Sequence, residues 1–186
     1  MRVLMWLHLA TRPLHLNELQ HALAVVLEEG KRGSTYLDED KIPTQKRLLD
    51  CCLGPVIVDE ETMTVRFVHY TLEEYFKRDT HSITYFPGHH KLAAQICLTD
   101  LNFHKLGAVN APEVEADNLF QQFAFLDYAA NHWGRYAGCS EGVEVLAMEI
   151  LRRKRGRAYP HVALPVLYEG LRYFISPFFL ILYGHP

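Results

Sequence analysis

Two short apolar runs that follow Gly54-Pro55 constrain the fold of this chain most strongly. Residues 56–58 are Val-Ile-Val, and their pattern predicts a strand. In residues 63–67, Met, Val and Phe alternate with Thr and Arg, which predicts a second, half-buried strand. The polar residues 59–62 lie between the two runs and predict a turn. The sequence therefore predicts a small β-hairpin.

Helices and one short strand are predicted ahead of this hairpin. Met1–Ala10 is apolar and predicts a buried helix, and Leu14–Leu16 predicts a short strand. A second helix is expected from Asn17 to about Val26, with Asn17 as the N-cap and Gln20 three residues further on.

A third helix is expected before the hairpin and a fourth directly after it. Pro43 suits the first turn of the third helix, and Gly54-Pro55 ends it. Thr71 and Glu74 have the spacing of a capping box at the start of the fourth helix. The residues expected on the buried side of the third helix are Leu48, Leu49, Cys52 and Leu53.

This order of elements is that of a winged helix-turn-helix, in which the hairpin is the wing. Beyond Phe86 the pattern becomes all-helical, with helices predicted from Pro87, around Phe123–Trp133 and over Val143–Arg153. The predicted fold class is therefore mostly α with a small β-hairpin: a winged helix-turn-helix followed by an α-helical segment. The predicted domains are a winged helix at 1–80, a helical linker domain at 84–155 and a poorly defined tail at 156–186.

Composition excludes some classes of function. Of the 186 residues, 49% are apolar and 22% are charged, which indicates a globular chain. The net charge of -3 argues against nucleic acid, because neutralising phosphates needs a surplus of Lys and Arg. The four cysteines form no C-x-x-C pair and are expected to be reduced in the cytoplasm. No apolar run is long enough to cross a membrane, and the abrupt ends suggest part of a larger protein.

Several segments resemble the region that follows the NTPase module in fungal NACHT-ankyrin and NACHT-WD proteins, the winged helix of the GPI inositol-deacylase type. They extend over roughly residues 3 to 137 and include RPLHLNELQHALAV, VRFVHYTLEEYF and FLDYAANHWGRYA. Ser176-Pro177 and Tyr183–His185 are similar to the opening of an ankyrin repeat. The resemblance implies a regulatory and interaction module that links a nucleotide-binding module to C-terminal repeats.

The resemblance also implies a role for His69. Val68-His69-Tyr70 is similar to the Met-His-Asp motif of NLR-type NTPases, whose His donates a hydrogen bond to the β-phosphate of bound ADP. An imidazole N–H can make such a charge-assisted bond. Tyr70 stands where the motif has Asp, which puts the orientation of the imidazole in question. ADP or ATP would belong to the parent protein, and no cofactor is expected in this chain.

Two segments contain the residues of known catalytic motifs but lack the order or the predicted secondary structure that those motifs need. Gly138–Gly142 fits G-x-S-x-G around Ser140, but a nucleophile elbow needs a preceding strand, and a helix is predicted there. A helix-to-helix turn, with Gly138 as C-cap and Ser140 as N-cap, explains the segment better. Gly30–Thr35 has phosphate-loop letters in the wrong order. We therefore expect no catalytic residue and no enzyme activity.

The histidines and the basic residues of the chain are better explained by structural roles than by metal or nucleic-acid binding. The chain has 11 histidines, including the neighbours His89 and His90, but no H-E-x-x-H, so no metal site is expected. The basic run at 152–157 fits a nuclear-localisation or nucleic-acid patch, but a helix C-terminus, where the dipole favours cations, explains it better.

DNA binding is disfavoured by the distribution of charge. The third helix, which would enter the major groove, carries Lys46 and Arg47, but residues 38–40 before it are acidic. The wing tip at 59–61 is acidic as well and would face phosphates with like charge. Such a wing suits a basic protein surface.

These observations leave a leading hypothesis and three alternatives. The leading one is a non-catalytic regulatory module that packs on the nucleotide-binding module of its own polypeptide and passes on nucleotide state through His69. The alternatives are a stand-alone protein-interaction adaptor from a truncated gene, a DNA-binding winged-helix regulator and a hydrolase that uses Ser140. The expected partners are proteins, with neither nucleic acid nor membrane.

Overall fold

The computed structural model describes residues 2–25, 39–78, 84–102 and 123–148. These residues divide into two compact units, of which the first holds those up to His89 and the second those from His90 onward. The predicted boundaries, 1–80, 84–155 and 156–186, stay predictions, and the tail lies outside the described residues.

The first unit is a winged helix-turn-helix. It contains α1 (Arg2–Leu9), β1 (Leu14–His15), α2 (Leu16–Ala24), a short 3-10 turn (Glu39–Lys41), α3 (Gln45–Asp50), β2 (Val56–Val58), β3 (Thr64–Phe67) and α4 (Tyr70–Lys77). This order confirms the predicted fold class. In the second unit, helices α5 (His89–Asn102, which starts at the unit boundary) and α6 (Leu126–Gly138) are followed by helical residues 144–148.

The small sheet has three strands, one more than the predicted hairpin. Its order is β1-β3-β2, and both pairings are antiparallel. Leu14 lies opposite Val65, and Val65 lies opposite Val58 on the other side. Leu14 is 0% exposed and Val65 is 1% exposed, so this pairing lies in the core of the first unit. The short strand at residues 14–15 therefore joins the helix-turn-helix to the wing.

The wing and the start of α2 are joined by a further hydrogen bond. The Leu16 N–H, at the first residue of α2, donates to the Met63 carbonyl at 2.8 Å. A helix leaves its first N–H groups without partners inside the helix, so this bond satisfies one of them. Met63 has φ 53, a left-handed conformation that costs a non-glycine residue roughly 1 kcal/mol.

The predicted cap of α2 is wrong by two residues. His15, not Asn17, occupies the N-cap position, and Glu18, not Gln20, reaches back to it, since its carboxylate accepts the His15 N–H at 2.8 Å. The Asn17 side chain instead accepts the Glu18 N–H at 2.9 Å. Because β1 runs directly into α2, its last extended residue becomes the cap.

Two other helix starts also differ from the predictions. Helix α3 begins at Gln45, after Pro43, and the Thr44 hydroxyl caps it by accepting the Arg47 N–H at 3.3 Å. Helix α4 begins at Tyr70 with His69 in the N-cap position, so the predicted capping box of residues 71 and 74 is not formed. In both cases the extended residue before the helix sets the start.

The buried side of α3 was predicted correctly except at its end. Leu48 and Cys52 are buried and Leu49 is half-buried, but Leu53 is 92% exposed. Leu53 and Gly54 both have positive φ, 57° and 97°, so the chain reverses here toward β2 and directs Leu53 outward. Glycine adopts such a φ without strain, which explains its place in this turn.

The second unit is held by buried aromatic and aliphatic side chains. Helix α6 buries Trp133 together with Tyr128 and Tyr136, whose hydroxyls hydrogen bond at 2.5 Å. Burial raises the pKa of Tyr136, and the neighbouring Tyr128 adds to the shift. The predicted helix at 143–153 is helical over 144–148, and its remainder lies outside the described residues.

An ion pair stabilises the entry to α2. The Glu18 side chain is 8% exposed and accepts two hydrogen bonds from the Arg12 guanidinium, at 2.6 and 2.8 Å. Together with the His15 N–H bond, this gives the buried carboxylate three donors. A buried carboxylate is tolerated when it is paired and hydrogen bonded in this way.

We predict that Glu18→Gln lowers the free energy of unfolding by about 1–3 kcal/mol, because the amide cannot replace both charge-assisted bonds. Urea titration followed by circular dichroism measures the effect. The matched control is Glu73→Gln, which breaks the exposed Glu73–Lys77 pair on α4 and should cost at most about 0.5 kcal/mol. Equal losses in the two variants would contradict the structural role of the Arg12–Glu18 pair.

Candidate interaction site at the end of the third strand

His69 lies between β3 and α4, and backbone contacts fix its position. The preceding Val68 N–H donates to the Pro55 carbonyl at 3.0 Å, which continues the pairing of the wing beyond β3. The His69 carbonyl accepts the Leu72 N–H at 3.1 Å, within the first turn of α4. His69 itself is extended, with φ -124 and ψ 132.

Packing of α4 holds the other side of this junction. Phe76 is buried and is the residue through which α4 meets the sheet, with its ring centroid 5.8 Å from that of Phe67 on β3. The Phe76 ring also lies 5.2 Å from Phe86. The backbone at His69 is therefore held between a paired strand and a packed helix.

The His69 side chain itself is exposed. Its imidazole makes no side-chain cap bond to α4, and no hydrogen bond to it is formed among the described residues. Tyr70, where the resemblance expects Asp, is 72% exposed. The structure thus presents an imidazole on a fixed backbone, at the N-terminus of a helix whose dipole favours an anion.

Ser140 has surroundings unlike those of a nucleophile elbow. It follows helix α6 rather than a strand, and its hydroxyl donates to the Tyr136 carbonyl at 2.8 Å and to the Ala137 carbonyl at 3.3 Å. The helix-to-helix turn is as predicted, but the capping roles are not. Cys139 is the C-cap of α6, and Ser140 caps the preceding carbonyls instead of starting the next helix. The hydroxyl is bonded locally because it lies within reach of the last turn.

His8 packs among other rings in the first unit. His8 stacks on Phe86 at 5.8 Å and contacts the edge of His89 at 5.9 Å. Burial lowers the pKa of His8, and the charges of His89 and Lys77 lower it further. Within the described ranges, no cluster of three or more His, Cys, Asp or Glu side chains could hold a metal ion.

All four cysteines are free thiols in the structure. Cys51 is exposed and Cys52 buried at the end of α3, and their sulfurs lie 3.9 Å apart. Burial raises the pKa of Cys52 to about 11, and the adjacent Cys51 contributes. Cys97 is fully buried in the second unit, and burial raises its pKa as well.

The wing tip keeps much of its predicted negative charge at the surface. Asp59 accepts the N–H groups of Glu61 and Thr62, each at 3.1 Å, and lies 3.5 Å from Arg66. These bonds lower the pKa of Asp59, chiefly through the Thr62 N–H. Glu60 and Glu61 are exposed and make no ion pair with the described residues.

Some predicted segments lie outside the described residues. They are the Gly-rich loop at 30–35, the basic run at 152–157 and the ankyrin-like tail at 176–185. Within the described residues, the structure contains one feature that sequence analysis missed, a cleft of about 470 Å³ with Arg2, Lys41 and Arg47 in its wall. These cations come from three separate segments, so no local pattern could have indicated it.

Comparison with known proteins gives a match in the first unit. Residues 1–86 match the family model of the GPI inositol-deacylase, winged helix domain, and this region is similar to that domain. Neither the curated proteins nor the solved structures contain a match. In the described part of the chain, no helix has the length and apolar character that a membrane crossing requires.

We predict that His69→Ala leaves the stability of the chain within about 0.5 kcal/mol of the wild type, because the exposed ring supports nothing in the fold. Phe76→Ala, seven residues further on, should cost about 3–5 kcal/mol, since it removes the ring that joins α4 to the sheet. Thermal unfolding of the two variants tests this. A large loss of stability in His69→Ala would show that the imidazole is a structural group.

Proposed function

We propose that the chain is a non-catalytic regulatory and interaction module of a NACHT-type signal-transduction NTPase, and that it couples nucleotide state to C-terminal repeats. The observation that carries this proposal is the position of His69, an exposed imidazole on a fixed backbone at the start of α4. The match of residues 1–86 to a winged-helix domain supports it, because residues 68–70, which are similar to the Met-His-Asp motif, lie within the matched region.

The chemistry of the site fits a phosphate contact. A neutral or protonated imidazole has an N–H to donate to an anionic oxygen, and such charge-assisted bonds are worth about 1.5–3 kcal/mol. The N-terminus of α4 adds a partial positive charge beside His69. Tyr70 has no carboxylate with which to orient the ring as the Asp of the motif would, and its side chain is 72% exposed, so the backbone position of His69 is what places the imidazole.

One hydrogen bond from His69 is strong enough to shift an equilibrium between two states, but it is too weak to hold a nucleotide without other contacts. The His69 hydrogen bond would form in the closed, ADP-bound state of the parent protein and not in the open state, so its free energy would favour the closed state. The phosphate loop belongs to the nucleotide-binding module, so the isolated chain should bind ADP only feebly. Its partner is therefore the nucleotide-binding module of the same polypeptide, or another protein.

The charge of the wing supports a protein partner over DNA. Helix α3 exposes Lys46 and Arg47, but the exposed Glu60 and Glu61 at the wing tip would oppose the phosphates of a duplex. Four free thiols fit a reducing compartment, and we place the protein in the cytoplasm on that ground.

The His69 proposal predicts faster loss of ADP from the full-length parent protein. His69→Ala should raise the ADP dissociation rate by roughly tenfold, the equivalent of about 1.4 kcal/mol, because one charge-assisted hydrogen bond is lost. Release of a fluorescent ADP analogue after dilution into unlabelled nucleotide measures the rate. His15→Ala is the matched control, since His15 is also exposed and also occupies a helix N-cap. Unchanged ADP release in His69→Ala would reject the sensor role.

A further inference from the structure

A cleft in the first unit combines an apolar floor with cationic walls. It is bounded by the start of α1, the last turn of α2, the 3-10 turn and α3, and its volume is about 470 Å³. Leu48 and Val3 form buried parts of its lining. This volume is in the range of protein ligand sites, large enough for a few side chains of a partner.

The charge of the cleft selects an anionic occupant. Arg2 and Arg47 are exposed in its wall, and neither makes an ion pair with the described residues. Lys41 adds a third cation, against which the described lining sets one carboxylate, that of Asp40. Guanidinium groups over apolar surface bind carboxylates well, because the planar donors match the two oxygens.

The wing tip of the same unit offers the complementary chemistry. Glu60 and Glu61 present two exposed carboxylates, and Met63, two residues further on, is 47% exposed. Asp59 is occupied by Arg66 and by backbone N–H groups, so it shapes the turn and leaves the next two residues to face outward. Two carboxylates beside an apolar side chain match two guanidiniums beside an apolar floor.

The cleft and the wing tip belong to different parts of the chain. Residues 51–55 separate α3, which lines the cleft, from the first residue of β2, and the wing tip follows the last residue of β2. The three extended residues of β2 add a span of about 10 Å between the end of this connection and the wing tip. The structure accordingly contains no ion pair between the described side chains of the cleft and those of the wing tip.

We propose that the acidic wing tip of one copy docks in the basic cleft of a second copy. Because the two surfaces differ, the contact is head-to-tail, and each pair leaves one cleft and one wing tip free for further copies. The contact area is small and its attraction is largely electrostatic, so the association is weak, transient and sensitive to salt. It does not depend on the role proposed for His69.

Sedimentation velocity of the full chain tests this proposal. The weight-average sedimentation coefficient should rise with concentration at about 0.02 M salt and should fall to the monomer value at about 0.5 M salt. Arg47→Glu should weaken association at least tenfold, and so should the double variant Glu60→Lys/Glu61→Lys. Lys46→Glu is the matched control, since Lys46 is exposed on the same helix but outside the cleft lining, and it should associate like the wild type.

An equimolar mixture of the two weakened variants gives the sharpest readout. The Arg47→Glu chain keeps an intact wing, and the Glu60→Lys/Glu61→Lys chain keeps an intact cleft, so the mixture should regain association that neither variant shows alone. Circular dichroism confirms that each variant is folded, and Arg2→Glu replaces Arg47→Glu if it is not. Monomeric wild type at every concentration, association unaffected by the variants, or no recovery in the mixture would overturn the proposal.

Discussion

The first unit depends on the link between the wing and the beginning of α2. Leu14 pairs with Val65, and one residue past the end of β1 the Leu16 N–H donates to the Met63 carbonyl. Without this link the hairpin would be a two-stranded ribbon, which is marginally stable in water. The link also explains why Met63 tolerates a left-handed backbone: the conformation directs its carbonyl to an N–H that α2 cannot satisfy itself. The Arg12–Glu18 pair stabilises the start of the same helix, because Glu18 also accepts the His15 N–H.

The backbone at the proposed His69 site is rigid because the three-stranded sheet holds it. β3 is the central strand, bonded to β1 on one side and to β2 on the other, and only Val68 separates its end from His69. A side chain that makes no structural contact is therefore carried by one of the best-supported stretches of backbone in the unit. This combination suits a contact that has to sense a partner, because a rigid base turns a small difference in binding into a preference between two states.

Local patterns in the sequence were sufficient for the order of the elements and for the fold class, because alternation and helical spacing report which face of each element is buried. They were insufficient where distant residues meet. The β1–β3 pairing joins residues about fifty positions apart, and the cleft gathers Arg2, Lys41 and Arg47 from three segments.

The positions of the helix N-caps could not be predicted for a different reason. His15 and His69 are poor capping residues by composition, yet both precede helices because the strands end there. Thr44 is a favoured capping residue, so the sequence does carry a local signal for the start of α3.

The central claim is that this chain acts as the regulatory winged-helix module of a larger NTPase and contributes His69 to the control of its nucleotide. The most direct measurement is the sequence of the complete messenger RNA that encodes it. The account predicts an in-frame phosphate loop, G-x-x-x-x-G-K followed by Ser or Thr, upstream of the codon for Met1. An in-frame stop codon upstream of Met1, with no phosphate loop in the same reading frame, would contradict it and favour a stand-alone adaptor.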